Sequence, residues 1–453
     1  MSASEAEVKT IQARVFDLPG AGKITDILPG GKPEEFPEII SFDYYESLYD
    51  LFITAELTVF DSSGKIDKAF DGCGVRQFCP VEIELNDPSL GKKWQRERPA
   101  LNFIGDNCFY VNRVRNQVIQ GKKKQYTLEL INRDALVSIQ RGIKSAWPAN
   151  ESVGIDYNTV VSDIMSQYIK TAKDTSRIME EMSESVSKIM GNNYKPYRML
   201  DYICSKATPK ATGTGSGEEE TRPAGYLFHE TYDEYRFPSI YKLVTEAYNL
   251  VEDHSVYSVS IVNDGNAGPK DAAYTILGYK FYDGETQSTL LEEIETKKRG
   301  KAKKIILDSQ RNVVREIIKQ APQQSCFAAA ADGDFTPVMY TPQTEYQHEF
   351  FNTCEENAFD NQPPNPELSS LNYGALLDML KTQTSTIRVN GNLSLSAGDH
   401  IYIDFPEIQG DGVKMVELSA KYSGQYLITK LNHKVEDIQH VYTHMEICKL
   451  VES

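Results

Sequence analysis

Two stretches near opposite ends of this 453-residue chain can be laid on one another without a gap: residues 107–133 (NCFYVNRVRNQVIQGKKKQYTLELINR) and residues 424–450 (GQYLITKLNHKVEDIQHVYTHMEICKL). Phe109 then meets Tyr426, Val111 meets Ile428, Arg113 meets Lys430 and Val114 meets Leu431. Further on, Val118 meets Val435, Leu128 meets Met445, Glu129 meets Glu446 and Leu130 meets Ile447. Each stretch reads as strand, polar turn, strand, with apolar residues at every second position. Only Val118/Val435 and Glu129/Glu446 are identities. The pattern by itself therefore allows a duplicated small β unit or two ordinary antiparallel hairpins. A unit carried twice, far apart, suits a ring-building protein better than an enzyme.

The chain is long enough for about three domains, each able to bury its own core. A net charge of −17 and a pI near 5.0 argue against a nucleic-acid clamp, which needs a basic groove. The same charge favours solubility. No segment approaches the roughly 20 apolar residues of a membrane helix. The start, MSASEAEVKTIQARVF, is polar and acidic and lacks the apolar centre of a signal peptide, so synthesis in a host cytoplasm is expected. The seven cysteines (Cys73, Cys79, Cys108, Cys204, Cys326, Cys354 and Cys448) are odd in number, scattered and free of CxxC spacing. They fit reduced thiols rather than a zinc or redox motif.

Along the chain, residues 1–36 are rich in Gly and Pro and read as an extended arm. Strands follow. Residues 51–60 place Ile53, Ala55, Leu57 and Val59 on one face, and Val81, Ile83 and Leu85 alternate with Glu82 and Glu84. Residues 109–114 and 126–131 complete an antiparallel barrel or sandwich pattern. Val161, Met165, Tyr168, Ala172, Met179, Met182, Val186 and Ile189 fall near helical spacing, with Asn158 or Thr159 as a cap and Gly191 as a stop. A second helix is expected over 196–205. Residues 208–224 (TPKATGTGSGEEETRPA) read as a flexible acidic loop. Strands are expected again at 225–230, 234–237, 274–281 and 304–307, and finally at 386–395, 400–405, 425–431 and 441–450. Residues 320–368 read as irregular, and 372–380 as a helix candidate.

Catalytic signatures are weak. In GAGK, Gly20–Lys23, a P-loop would need Gly where Asp17 stands and Ser or Thr where Ile24 stands. His440 and His444 lie four apart on a strand, where their attachment points are about 13 Å apart, too far for one metal. Glu218, Glu219 and Glu220 fall in the acidic loop. No Gly-x-Ser-x-Gly elbow is present. No catalytic, cofactor-binding or metal-binding residue is assigned.

Two further stretches are more specific. One runs over 199–244, MLDYICSKATP, the loop, then AGYLFHETYDEYRFPSIYKLV, with Phe228-His229-Glu230 and Tyr235-Arg236-Phe237 flanking a turn. The other is STIRVNGNLSLSAGDHIYIDFP, then KYSGQYLITKLNHKV and VYTHMEICKL, with turns at Gly391 and Gly398-Asp399 and strand openings at Ser423-Gly424. Together they resemble the baseplate hub proteins of contractile-tailed bacteriophages, related to phage late control protein D and to the N-terminal part of the type VI secretion spike protein VgrG. The resemblance runs from about Ile39 to Leu450. The loop 208–224 and the Pro-rich 321–366 depart from the compact family pattern.

The resemblance implies a mainly β, α+β fold with two similar antiparallel β-barrels and inserted α/β domains, three subunits forming a pseudo-hexameric ring. On this chain it implies an N-terminal arm (1–36), a first tube-type barrel (37–140) and an α/β domain with a long helix (141–270). The second barrel would come from 271–310 and 384–453, with an insert at 311–383. The implied function is a structural hub without catalysis or cofactor, in the virion tail. Its partners would be two further copies, a separate spike chain, the tail tube or its initiator ring, and other baseplate proteins, with DNA passing unbound through the channel. The alternatives are a tail protein that recognises a receptor or glycan, and a cell-wall glycan hydrolase with two carboxyl groups about 5–9.5 Å apart.

Overall fold

The computed structural model describes residues 11–16, 23–27, 37–66, 75–86, 100–120, 123–148, 154–186, 188–210, 225–245, 256–259, 274–281, 301–308, 313–320, 345–348, 377, 380–381, 384–405, 422–437 and 440–450. The fold is mainly β, with a closed β-barrel and few helices. Eight strands come first: β1 (Ile11–Phe16), β2 (Lys23–Ile27), β3 (Glu38–Ser47), β4 (Thr54–Asp61), β5 (Pro80–Asn86), β6 (Ala100–Phe103), β7 (Phe109–Gln120) and β8 (Lys123–Asn132). Six more follow the helical region: β9 (Val256–Val259), β10 (Thr275–Lys280), β11 (Thr384–Asn390), β12 (His400–Asp404), β13 (Gly424–Asp437) and β14 (His440–Lys449). The first set pairs in the order β2-β1-β5-β7-β8-β4-β3, with β6 on β5. The second set closes on itself as β13-β12-β9-β10-β11-β14-β13, a six-stranded barrel that leaves no open edge within its ring of pairings.

Alternation decides which side of each strand is buried. Ile53, Ala55, Leu57 and Val59 are buried, as are Val81, Ile83 and Leu85, and they join Phe103, Phe109 and Leu128 in one core. The barrel has its own core of Tyr257, Ile387, Ile403, Ile428, Met445 and Ile447. The β13–β14 hairpin spans both. Its base residues lie in the barrel core, while Val435 and Val441 near its tip lie in the core of the first sheet.

The two hairpins matched in the sequence share their ladder. Phe109↔Asn132, Tyr110↔Ile131, Val111↔Leu130, Arg113↔Glu129, Val114↔Leu128 and Arg115↔Thr127 are reproduced by Tyr426↔Lys449, Leu427↔Cys448, Ile428↔Ile447, Lys430↔Glu446, Leu431↔Met445 and Asn432↔His444. Each ladder is first interrupted at the same place, between Val111 and Arg113 and between Ile428 and Lys430; a second shift falls between Arg115 and Val118 in one and nearer the tip, between Val435 and Asp437, in the other. The equivalence extends to three neighbouring strands. Thr54↔Ile131 through Phe60↔Gln125 matches Thr384↔Cys448 through Asn390↔Tyr442. Pro80↔Tyr110 and Val81↔Phe109 match His400↔Leu427 and Ile401↔Tyr426. Ile39↔Val59 and Ser41↔Thr58 match Ile276↔Val389 and Gly278↔Arg388, with a bulge at Ile40 in one and at Leu277 in the other. A bulge turns its extra residue out of the pleat. Ile40 is 44% exposed and Leu277 is 48% exposed.

Several expectations are corrected. The segment read as an N-terminal arm supplies β1 and β2, because Ile11, Ala13 and Val15 alternate onto the first core. The long helix expected after residue 158 is short. Helix α2 (Tyr157–Asp163), which follows α1 (Arg133–Gln140), is capped by Asp156, whose side chain accepts from the Thr159 N–H at 2.7 Å. It widens into a π-helical segment over Ile164–Ile169 and stops at Lys170, which is left-handed at φ 56°. The helical spacing beyond it comes from separate turns, and Met179 and Met182 are each 41% exposed rather than on a packed face. Helix α3 (Pro196–Cys204) forms as expected, with Pro at its start, and α4 (Ile240–Thr245) follows. Lys301–Asp308, grouped with the second barrel by the resemblance, pairs with Val313–Gln320 and Glu345–His348 in a separate three-stranded sheet. Residues 211–224, nearly all of 321–366, and all but 377 and 380 of the helix candidate 372–380 lie outside the described residues. No helix among the described residues is long and apolar enough to cross a membrane.

Candidate assembly interface

Strand β13 changes partner halfway along. Gly424–Leu427 pair with β12, and Lys430–Val435 pair with β3 on the same edge. The switch occurs at the bulged Thr429, whose carbonyl accepts from the Leu48 N–H at 2.9 Å and whose hydroxyl donates to the Glu446 carbonyl at 3.0 Å. Gly424, at φ +130°, opens the strand in a conformation that side chains resist. Beyond the switch the β3–β13 seam is polar on one face and apolar on the other. Asn432 Nδ2 donates to Asp43 at 3.3 Å, while His433 is buried and stacks on Tyr44, with centroids 6.0 Å apart. The His433 Nδ1 meets the Thr443 hydroxyl at 3.0 Å.

Behind this seam lies a clasp of buried charge, built on the short hairpin His229–Glu230 and Tyr235–Arg236. Glu46 at the end of β3 is 2% exposed, and its carboxylate accepts from the Tyr44 hydroxyl (2.7 Å), the Tyr232 N–H (2.9 Å) and the Ala397 N–H (2.9 Å). Glu230 is 1% exposed; it meets Lys173 Nζ at 2.7 Å and accepts from the Ile53 N–H at 3.1 Å and from Asn132 Nδ2. Asn132 in turn caps α1 by accepting from the Ala135 N–H at 3.0 Å. Arg236 donates to Glu234 at 2.7 Å and to Asp399 at 2.9 Å in the turn between β11 and β12. Gly398 in that turn sits at φ +90°, and a Cβ there would come within 3.2 Å of His229 Nε2. The clasp thus joins the first sheet, the helical region and the barrel. Such charge-assisted bonds are the strong class of protein hydrogen bond.

Burial sets the protonation of these groups. It pushes Glu230 above the ordinary carboxylate range, with Lys173 and the Ile53 N–H pulling partly back. Burial, and then the Arg236 charge, lower His229 to about 3. Burial raises the thiols as well, Cys108 to about 11 and Cys448 to about 12, and Cys79 and Cys204 are buried too. A surface cleft lined by Asp134, Lys173, Asp174, Glu230 and Asp233 gathers carboxylates. Of these, Glu230 is committed to the clasp and Asp134 accepts from the Tyr235 hydroxyl at 2.9 Å.

The stretches singled out in the sequence converge here. Phe228, His229, Glu230, Tyr235, Arg236, Gly398 and Asp399 all belong to the clasp or its packing, with Phe228 stacked on Tyr235 and Tyr226 on Phe237. Lys23 opens strand β2 rather than a helix, so the GAGK run lacks the context of a phosphate loop. His440 and His444 stay apart on β14: His440 faces Asp437, and His444 faces Asn432 and Arg388. Glu46 and Lys173 were not legible. Glu46 reads as one more polar position at a strand end, and Lys173 lies in the run whose spacing predicts a helix.

No protein-family model matches the chain, and no curated protein matches it. Among solved structures it is similar to the 43 kDa tail protein of prophage MuSo2 from Shewanella oneidensis, at 8% identity over 98% of both chains with a TM-score of 0.46. It is similar to a tail protein from Neisseria meningitidis MC58, at 7% identity over 96% of both chains with a TM-score of 0.44. It is also similar to an E. coli component of the type VI secretion system described as resembling T4 bacteriophage tail proteins. That match is at 8% identity, over 92% of this chain and 74% of that one, with a TM-score of 0.41.

Proposed function

We propose that the chain is the structural hub subunit of a contractile phage tail. Three copies form a ring that joins a three-fold central spike to a six-fold tail tube and surrounds the channel through which DNA passes. The observation that carries this reading is the repeated strand set. Strands β3, β4, β5, β7 and β8 recur as β10, β11, β12, β13 and β14, in the same chain order, with two bulges in common and the same registers except toward the hairpin tips. Strands β3–β8 then serve as one tube-type barrel and β9–β14 as the other. A subunit carrying one surface twice gives a three-fold assembly six near-equivalent positions, which is what a symmetry adaptor needs. The clasp supports the same role, since it fixes the two units at one angle. Cross-strand ion pairs such as Lys430–Glu446 at 3.0 Å and Arg388–Glu436 at 2.7 Å leave the exposed sheet face mixed in sign, which suits a polyanion passing without binding. The role is non-catalytic and is exercised in the virion tail.

The purified chain is expected to have three times its 51.1 kDa mass by light scattering, and electron-microscopy averages are expected to show six similar lobes around a hole. A monomer without a ring would overturn the reading. So would turnover of purified peptidoglycan, which would favour a hydrolase instead.

A further inference from the structure

One buried carboxylate in the clasp holds a lysine with one oxygen and an asparagine with the other. Glu230 Oε1 lies 2.7 Å from Lys173 Nζ, and Glu230 Oε2 accepts from Asn132 Nδ2. The amine and the carboxamide therefore sit side by side on a single proton carrier. Asn132 is fixed in that orientation, because its Oδ1 accepts from the Ala135 N–H at 3.0 Å. Lys173 is held in turn by the Thr231 carbonyl at 2.8 Å. The site is dry. Glu230 is 1% exposed, Asn132 5% and the Lys173 side chain 10%. Tyr197 and Tyr235 wall it, with hydroxyls 3.3 Å apart, and Phe52 stacks on Tyr197. In such a setting two charges lose the hydration that favours them over two neutral groups. Burial accordingly holds Glu230 above the ordinary carboxylate range. An ion pair needs only the lysine and the glutamate. A carboxamide on the second oxygen, with a backbone N–H on the carboxamide's own oxygen, completes the parts of an acyl-transfer site.

We propose that Lys173 and Asn132 become joined by an isopeptide bond within the chain, with Glu230 carrying the protons. Glu230 Oε1 takes a proton from Lys173 and leaves a neutral amine. The amine lone pair attacks Asn132 Cγ, and the carbonyl electrons move onto Oδ1, where the Ala135 N–H stabilises them. Glu230 passes its proton to Nδ2 and recovers one from Nζ. The Cγ–Nδ2 bond breaks, ammonia leaves, and Nζ–Cγ becomes an amide, with Glu230 left protonated. The balance calls for no oxidant, reductant or co-substrate. Holding both groups on one carboxylate makes the step unimolecular, which is what an unactivated carboxamide needs in order to react. The bond closes residues 132–173, with α1 and α2 inside, into a covalent loop that ties the end of β8 to the far side of the helical region. Such a loop restricts the unfolded chain as a disulfide does, without a disulfide's sensitivity to reductant.

Mass spectrometry of the denatured full chain tests the bond. The parent is expected to be lighter than its sequence by one ammonia, about 17 Da. Trypsin should release a branched peptide in which residues 171–177, uncut at Lys173, are attached to residues 125–133. Lys173→Arg, which keeps the cation, and Glu230→Gln, which keeps the shape, should each have the full mass of their own sequence and only linear peptides. Parent protein of full mass, cleaved at Lys173, would overturn the proposal whether or not either variant folds. So would loss of ammonia without the branched peptide, since an asparagine can also lose ammonia by closing on its own backbone. A link from Lys173 to Glu230 itself, with loss of water, would overturn Asn132 as the acyl group. A branched peptide that persists in Glu230→Gln would overturn Glu230 as the proton carrier.

Discussion

Glu230→Ala is expected to be the most damaging single substitution in the clasp, lowering the free energy of unfolding by about 3–5 kcal/mol. The carboxylate is 1% exposed and stands 2.7 Å from Lys173 Nζ, whose side chain is itself only 10% exposed. Taking Glu230 away leaves Lys173 a buried cation with one neutral partner, the Thr231 carbonyl at 2.8 Å. It also strips an acceptor from the Ile53 N–H at the entry to β4 and from Asn132, the cap of α1. An unpaired buried donor costs about 1–3 kcal/mol. Glu230→Gln should recover part of the loss, because an amide oxygen can still accept from Ile53. Glu446→Ala provides the contrast. Its partner Lys430 is 48% exposed, and surface pairs of that kind contribute roughly 0–1 kcal/mol. Urea midpoints of the three variants check the ordering. A Glu230→Ala protein within about 1 kcal/mol of the parent would show that the clasp does not hold the units together.

The repeat was legible in the sequence because a half-buried strand must alternate. Val111, Val114, Leu128 and Leu130 announce the buried face of one hairpin, and Ile428, Leu431, Met445 and Ile447 that of the other. What alternation cannot carry is partner choice. Nothing local tells β13 to leave β12 at Thr429 and continue along β3, since either neighbour satisfies the same backbone groups. The strands at the start of the chain are hard to read for a related reason: the alternation of Ile11–Phe16 is short and lies beside Gly and Pro, and it gains meaning only from its pairing with β2 and β5. The long helix does not form because the spacing near 3.6 runs across Lys170, where the backbone turns left-handed. Of the clasp, the hairpin and the Gly398 turn were visible as unusual stretches. Their bonding was not, because Glu46, Glu230 and Asp399 are far apart in the chain and become neighbours only when the two units are joined.

His229 gives the same junction a pH dependence with a definite sign. It is 0% exposed, neither ring nitrogen makes a hydrogen bond of good geometry, and burial together with Arg236 lowers its pKa to about 3. In the unfolded chain the imidazole titrates near 6.5. Between those values the unfolded chain binds a proton that the fold refuses, so stability is full above about 6.5 and is lost as pH falls toward about 3. One such group removes up to about 1.4 kcal/mol per pH unit inside the window, or about 2 kcal/mol between pH 7 and pH 5. His229→Gln lacks the titrating group. Its urea midpoint should therefore change less over that interval than the parent's, even if the variant is less stable at neutral pH through lost packing against Gly398 and Leu48. Parallel midpoint curves from pH 7 to pH 5 would show that His229 takes up its proton in the folded state. The clasp would then have to open locally to accept the charge, because Arg236 already occupies the space beside it with a charge of the same sign.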